Sequence, residues 1–432
     1  MLAYDDSPPL SAPLRFFLTA PCFGALAGAL VLWQGPGLLD SRWTPSALAL
    51  THLITVGVML QIMLGALMQL LPVVAGANIA RPRLVAAAVH LGITLGGLAL
   101  AAAFLTGHPW LFGSAALLLG SSAVVFVGAA GWALRGVGRG QVTVVGMKLA
   151  LAGLGVTVTL GVLMALWRTG LLEWSGRALI PLHVGWGVLG WAGALLTAVA
   201  YVVVPMFQIT PPYSERFTRV AVPVTLAVLL CWSTSEVFHT ASLTSGLQAL
   251  CAVAGAVLAA VTLNTTLRSK RARREPTQFA WQLAMVCLLL ASALWLAATT
   301  LPGVASALNW PLMWGVLVLW GGFVSVMVGM LYKIVPFLVW LHLRRLGQGK
   351  LHAPNMKLIL PERPLWIQLA LHSAALVLLV AATVWPAGFT HAAGTALLAS
   401  NAALLRNLLL AVRAYRQHLR VIAMTPPRGP RD

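Results

Sequence analysis

Histidine is the residue type best suited to do chemistry in this 432-residue chain, which has ten histidines but only nine aspartates and glutamates. His52, His108, His183, His239 and His391 fall at one set of ends of long apolar runs. His90, His342, His352, His372 and His418 fall toward the other set. A neutral imidazole binds haem iron, copper or zinc through one ring nitrogen while a carbonyl or carboxylate holds the other. Glu236, in "STSEVFHT", is the acidic residue that lies well inside an apolar run, three positions before His239, so the two share a helix face. An ionisable group at membrane depth is costly and marks a functional site by default. Glu236 can orient an imidazole, bind a metal or relay a proton there. A histidine at the end of an apolar run serves equally as an interfacial anchor or a packed core residue, so position alone leaves each role open.

The elements that carry these residues follow from composition. The chain is 59% hydrophobic and 9% charged, with a mean hydropathy of +0.89. A soluble protein of this length could not bury so much apolar surface, so the chain is an all-α polytopic membrane protein. Twelve runs are long enough to span a bilayer, near 14–34, 47–73, 83–105, 109–133, 143–166, 180–207, 217–240, 245–266, 277–300, 310–340, 364–386 and 391–414. They are continuous rather than alternating, which selects helices over a barrel.

An even number of spans puts both termini on one face. With the termini inside, the inner loops hold "ARPR" (80–83), "RGVGR" (135–139), "ERFTR" (215–219), "RSKRARR" (268–274) and "RRLGQGK" (344–350), and the tail from Arg413 to Arg431 joins them. Of the 28 Lys and Arg residues, all but Arg42, Arg168 and Arg177 fall on that side. The asymmetry predicts cytoplasmic termini in a bacterial-type inner membrane. It also accounts for the net charge of +19 without nucleic acid as a partner. The acidic, Pro-rich start "MLAYDDSPPLSAP" has no basic region before an apolar one, so no cleaved signal peptide is expected. Cys22, Cys231, Cys251 and Cys287 lie in apolar stretches without paired spacing and read as small core residues.

Spans 2, 6 and 10 resemble one another. They read "HLITVGVMLQIMLGALMQLLP" from His52, "HVGWGVLGWAGALLTAVAYVVVP" from His183 and "WGVLVLWGGFVSVMVGMLYKIVP" from Trp314. His52, His183 and Trp314 are spaced 131 residues apart, as are Tyr201 and Tyr332, and His108 and His239. The chain therefore reads as a single transmembrane domain of three four-helix pseudo-repeats, near 14–133, 143–266 and 277–414. The glycines of the repeated spans suit close helix packing. Pro72 lies 20 residues after His52, about 30 Å along an α-helix, so the histidine and the proline sit at opposite interfaces. Met59, Met63 and Met68 and the tryptophans Trp186, Trp191, Trp314 and Trp320 read as packing or as an interfacial belt.

Twelve helices in three units, with histidines near the outer ends of helices 2, 6 and 7, resemble the catalytic subunit of the haem–copper oxidase superfamily. "THLITVGVMLQIMLGALMQLLPVVAG" is similar to that family's helix-2 pattern of a histidine followed a helix-length later by Pro and Gly. The resemblance implies that His52 matches the low-spin haem ligand, and that His183 and His239 match copper ligands of helices 6 and 7. It departs from the family at helix 10, where Trp314 and Val316 occupy the places of the ligand histidines, and at helix 7, where His239 stands alone. These departures argue against oxygen reduction by the family mechanism. The chain is more similar to the divergent NnrS-type membrane proteins, which the resemblance links to haem, copper and nitric oxide stress.

The expected function is thus a haem- and/or copper-binding inner-membrane protein. His52 and His183 would hold a b-type haem, and His183, His239, His108 and Glu236 an outer metal cluster. A respiratory redox partner or a small gaseous ligand would join the lipid bilayer as partners. A transporter of a small solute or metal is the alternative, since inverted or repeated Gly-rich bundles also build transporters; a cofactor-free assembly factor is the other. A midplane almost free of ionisable residues weighs against transport. Gln61, Gln69, Tyr201 and Tyr332 are the deeper polar groups. The chain shows no nucleotide-binding Gly loop, no CxxCH haem attachment and no hydrolase constellation.

Overall fold

The computed structural model describes residues 7–138, 140–173, 175–307, 309–347 and 352–425. Arg139, Lys350, Arg428 and Arg431 of the basic tally, and the acidic first six residues, lie outside the described residues. Twelve described helices are long and apolar enough to cross a membrane, and no strand occurs among the described residues. They are α1 (Ser11–Leu39), α2 (Pro45–Ala75), α3 (Pro82–Thr106), α4 (Pro109–Ala133), α5 (Val142–Arg168) and α6 (Gly176–Gln208), followed by α7 (Glu215–Val237), α8 (Ala241–Leu267), α9 (Pro276–Thr300), α10 (Trp310–Leu346), α11 (Glu362–Val384) and α12 (Pro386–Met424). The protein is an all-α polytopic membrane protein.

The ends follow local chemistry. Proline opens α2, α3, α4, α9 and α12 at a position whose backbone N–H has no helical partner in any case. The Thr44 hydroxyl caps α2 by accepting from the Ala47 N–H at 3.1 Å. Each expected span has its helix, but several run past the apolar stretch. The α10 helix continues through Arg344 and Arg345 to Leu346, and α12 continues to Met424 rather than ending near residue 414. Arg, Gln and Leu are good helix formers, so loss of hydrophobicity does not end a helix. The α7 helix ends earlier, at Val237, leaving His239 in a left-handed turn with φ 55°.

The helices of each consecutive set of four pack in the same order. The first lies on the second (α1 on α2, α5 on α6, α9 on α10), and the third lies on the fourth. The fourth meets the first helix of the next set: α4 on α5, α8 on α9, and α12 back on α1. The outer helices therefore close into a ring around α2, α6 and α10, whose membrane-crossing windows are 78, 61 and 67% buried. Each of these three inner helices changes winding along its length. An α-helical stretch (preceded in α6 by a 3-10 turn at Gly176–Leu179) gives way to a π-helical one, at Leu53–Leu60 in α2, Trp186–Gly193 in α6 and Val316–Val324 in α10, and α-helix then resumes. Each keeps a proline in its last turns, at Pro72, Pro205 and Pro336. A π segment is rare and occurs often at functional sites. Nothing in the apolar pattern announces one, because a continuous apolar run looks alike at either winding.

Glycine sets how closely the inner helices approach their neighbours. The backbone of Gly190, in the π stretch of α6, lies where any side chain at Gly153 of α5 would have to go. At the termini-bearing face the inner helices diverge around a small apolar cleft of about 40 Å³, lined by α2 from Ala66, α6 from Val202 and α10 from Ile334.

Candidate functional site

At the opposite face, α2 and α6 bring His52 and His183 together. Their ring centroids are 6.4 Å apart and their planes 20° from parallel. His52 is the last residue of α2 before its π segment. Its Nδ1–H donates to the Leu48 carbonyl at 2.8 Å, one turn back on its own helix. The Nδ1–H of His183 donates to the Thr157 carbonyl of α5 at 3.0 Å. A carbonyl only accepts, so in both neutral rings the proton sits on Nδ1 and the lone pair on Nε2. No described group hydrogen-bonds either Nε2. Phe104, near the end of α3, stacks on His52 at 5.0 Å and 29° and covers its flank. Gly161 of α5 faces His183, and a Cβ there would sit 3.1 Å from Cε1 and 3.5 Å from Nδ1. The missing side chain is what lets the imidazole reach the Thr157 carbonyl.

The remaining expected ligands do not join this pair. Among the described residues, no group of three or more His, Cys, Asp and Glu side chains lies close enough to hold a metal ion. His108 is exposed in the turn before α4, and His239 is exposed beyond the end of α7. Glu236 is half-buried on α7. The larger cluster of His183, His239, His108 and Glu236 is therefore not assembled. The reason is architectural, since α4 and α7 belong to the outer ring while α2 and α6 are central. In the third unit, Trp314 packs on Trp295 of α9 at 5.3 Å and adds no ligand.

The sequence reading places His372 toward the termini-bearing face and leaves the midplane nearly free of ionisable residues. The structure places His372 deeper than that. His372 lies near the middle of α11 and is 0% exposed. Its Nε2 is 2.7 Å from the Ser325 hydroxyl of α10, and its ring stacks on Trp320 at 4.8 Å. Among the described residues, its Nδ1 and the Trp320 Nε1 have no partner. One turn away on the same face, Gln368 accepts from the Tyr332 hydroxyl and donates to Ser400 Oγ at 3.1 Å. At the termini-bearing face, Glu275 pairs with Lys333 at 2.5 Å and with Arg271 at 2.8 Å. In the loop after α6, Tyr213 donates to Thr262 Oγ1 at 3.2 Å, and burial pushes its phenol well above the ordinary range.

Sequence reasoning selected His52 and His183 but not their supports. Leu48, Thr157 and Gly161 act through backbone or through an absent side chain, which no motif search registers. Phe104 sits close in sequence to His108, yet only helix packing shows which histidine it covers. No family model matches the chain, and no curated protein matches it.

Proposed function

We propose that His52 and His183 together ligate one metal centre, a haem iron or a copper ion, in a membrane protein of redox metabolism. The observation that carries the reading is the facing pair of imidazoles with both Nδ1 atoms tied to backbone carbonyls. That arrangement presents two Nε2 lone pairs, and a ligating histidine almost always has its other nitrogen held in this way. With ring centroids 6.4 Å apart, His52 and His183 are the residues that would hold such a centre through Nε2. When bound, such a centre supplies one-electron redox chemistry.

The chain's own residues fix the tautomer, the spacing and the surroundings. The Leu48 and Thr157 carbonyls hold the protons on Nδ1. Gly161 sets how far His183 reaches, and Phe104 shields one flank of His52 from water. At a haem iron, two histidine ligands would favour electron passage over capture of a substrate. The missing helix-10 histidines argue in the same direction.

The test is a reduced-minus-oxidised absorbance spectrum with iron, copper and zinc analysis of the protein purified in detergent. Wild type is expected to carry one centre per chain, lost in both His52→Ala and His183→Ala and retained in His108→Ala and His239→Ala. A colourless, metal-free wild type that takes up neither haem nor copper on titration overturns the reading.

A further inference from the structure

We propose that the exposed face of α12 between Arg406 and Arg413 is a binding site for an anionic phospholipid of the leaflet on the termini-bearing face. The α12 helix has 39 residues, or about 58 Å of helix at 1.5 Å per residue, against a hydrocarbon core of about 30 Å. It therefore leaves the membrane well before it ends. Asn407 marks where, because its Nδ2 donates to the Pro364 carbonyl in the first turn of α11 at 3.2 Å. Arg406 thus lies at the hydrocarbon boundary, and Arg413 lies two turns further out, at headgroup depth. Beyond them, Tyr415, Leu419 and Ile422 pack onto the protein core, so the extension is held down rather than free.

The face itself is open and is formed by Ala402, Leu405, Arg406, Leu409, Leu410 and Arg413 of this one helix. Both arginines are exposed. The apolar residues run from between them toward the membrane interior, the direction an acyl chain takes below its phosphate. Among the described residues, the arginines have no carboxylate partner. On this face the described carboxylates are Glu215, Glu275 and Glu362, and each is already in an ion pair, with Arg219, with Arg271 and Lys333, and with Lys357 respectively. Two exposed guanidiniums flanking an apolar helix face at headgroup depth are complementary to a phosphodiester with an attached chain. Guanidinium matches phosphate oxygens bidentately. The arginine-rich face is the cytoplasmic one by the distribution of Lys and Arg, and that leaflet is anionic.

The site is independent of the histidine pair, so either proposal can fail without the other. Native mass spectrometry of the purified protein titrated with phosphatidylglycerol or phosphatidylcholine tests it. Wild type is expected to retain phosphatidylglycerol in preference to phosphatidylcholine. With each arginine near an anionic surface contributing about fivefold, R406Q/R413Q is expected to bind phosphatidylglycerol about 30-fold more weakly. The single variants R406Q and R413Q give about fivefold each and serve if the double variant does not fold. The control R83Q/R135Q removes the same charge from the same face and is expected to stay within about twofold of wild type. R406K/R413K, which keeps charge but loses the planar fork, is expected to fall between. Unchanged retention in R406Q/R413Q, equal loss in R83Q/R135Q, or displacement of the lipid by inorganic phosphate each overturns the proposal.

Discussion

Replacing Gly161 by alanine tests whether the His183 imidazole is positioned for ligation, because it adds one methyl group and removes no ligand. The new Cβ would stand 3.1 Å from His183 Cε1 and 3.5 Å from Nδ1, a few tenths of an ångström inside ordinary carbon contact distance. The backbone of α5 is packed against Gly190 and cannot retreat, so the ring must move. Relief takes it away from the Thr157 carbonyl, stretching a 3.0 Å hydrogen bond beyond the useful range. That forfeits about 1 kcal/mol and turns Nε2 away from His52. Loss of such an outer-shell partner typically costs about 10–100-fold in metal affinity. Gly161→Ala is therefore expected to bind haem or copper about tenfold or more weakly in a spectrophotometric titration, while eluting as a single gel-filtration species like wild type. His183→Ala supplies the zero-binding reference. An affinity equal to wild type in correctly folded Gly161→Ala refutes the positioning argument, even if His183 itself proves essential.

Three further outcomes follow from the packing. Ser325→Ala leaves the buried His372 with neither ring nitrogen partnered, at a cost of about 1–3 kcal/mol, whereas His372→Phe keeps the stack on Trp320; thermal unfolding in detergent should rank Ser325→Ala as the more damaging, and the reverse order counts against the hydrogen bond. Glu275→Gln leaves Arg271 and Lys333 facing each other with side chains only about a quarter exposed, so a loss of about 2–4 kcal/mol is expected, measurable as a lowered unfolding midpoint that the double variant Glu275→Gln/Lys333→Met partly restores. Gly28→Val puts a side chain against the backbone of α12, where even a Cβ would sit 2.6 Å from the Leu398 nitrogen and 2.9 Å from the Gly394 carbonyl; forcing α1 and α12 apart opens the ring, and a disulfide-forming cysteine pair across that seam should form in wild type and fail in Gly28→Val.

The sequence by itself determined the class of molecule. Continuous apolar runs of about 20 residues admit only membrane-spanning helices, and all twelve are present. It also singled out His52 and His183, through their spacing from each other and their place in similar spans. What it could not carry is everything that depends on which faces meet. His108, His239 and Glu236 share depth with the pair along the chain, but depth is one coordinate, and the ring of outer helices separates them laterally from the centre. The apolar pattern reads His372 only as nearer one face, while the structure buries it among Trp320, Ser325 and the Gln368 network.

The same limit applies to winding and to backbone. A run with no polar residue has no period to read, so α- and π-helical stretches of α2, α6 and α10 are indistinguishable before they fold. The carbonyls of Leu48 and Thr157 belong to every residue type, and Gly161 contributes by lacking a side chain. Residue types declare which atoms are able to bind. The helix packing alone decides which nitrogens are left with a free lone pair and how far apart they stand.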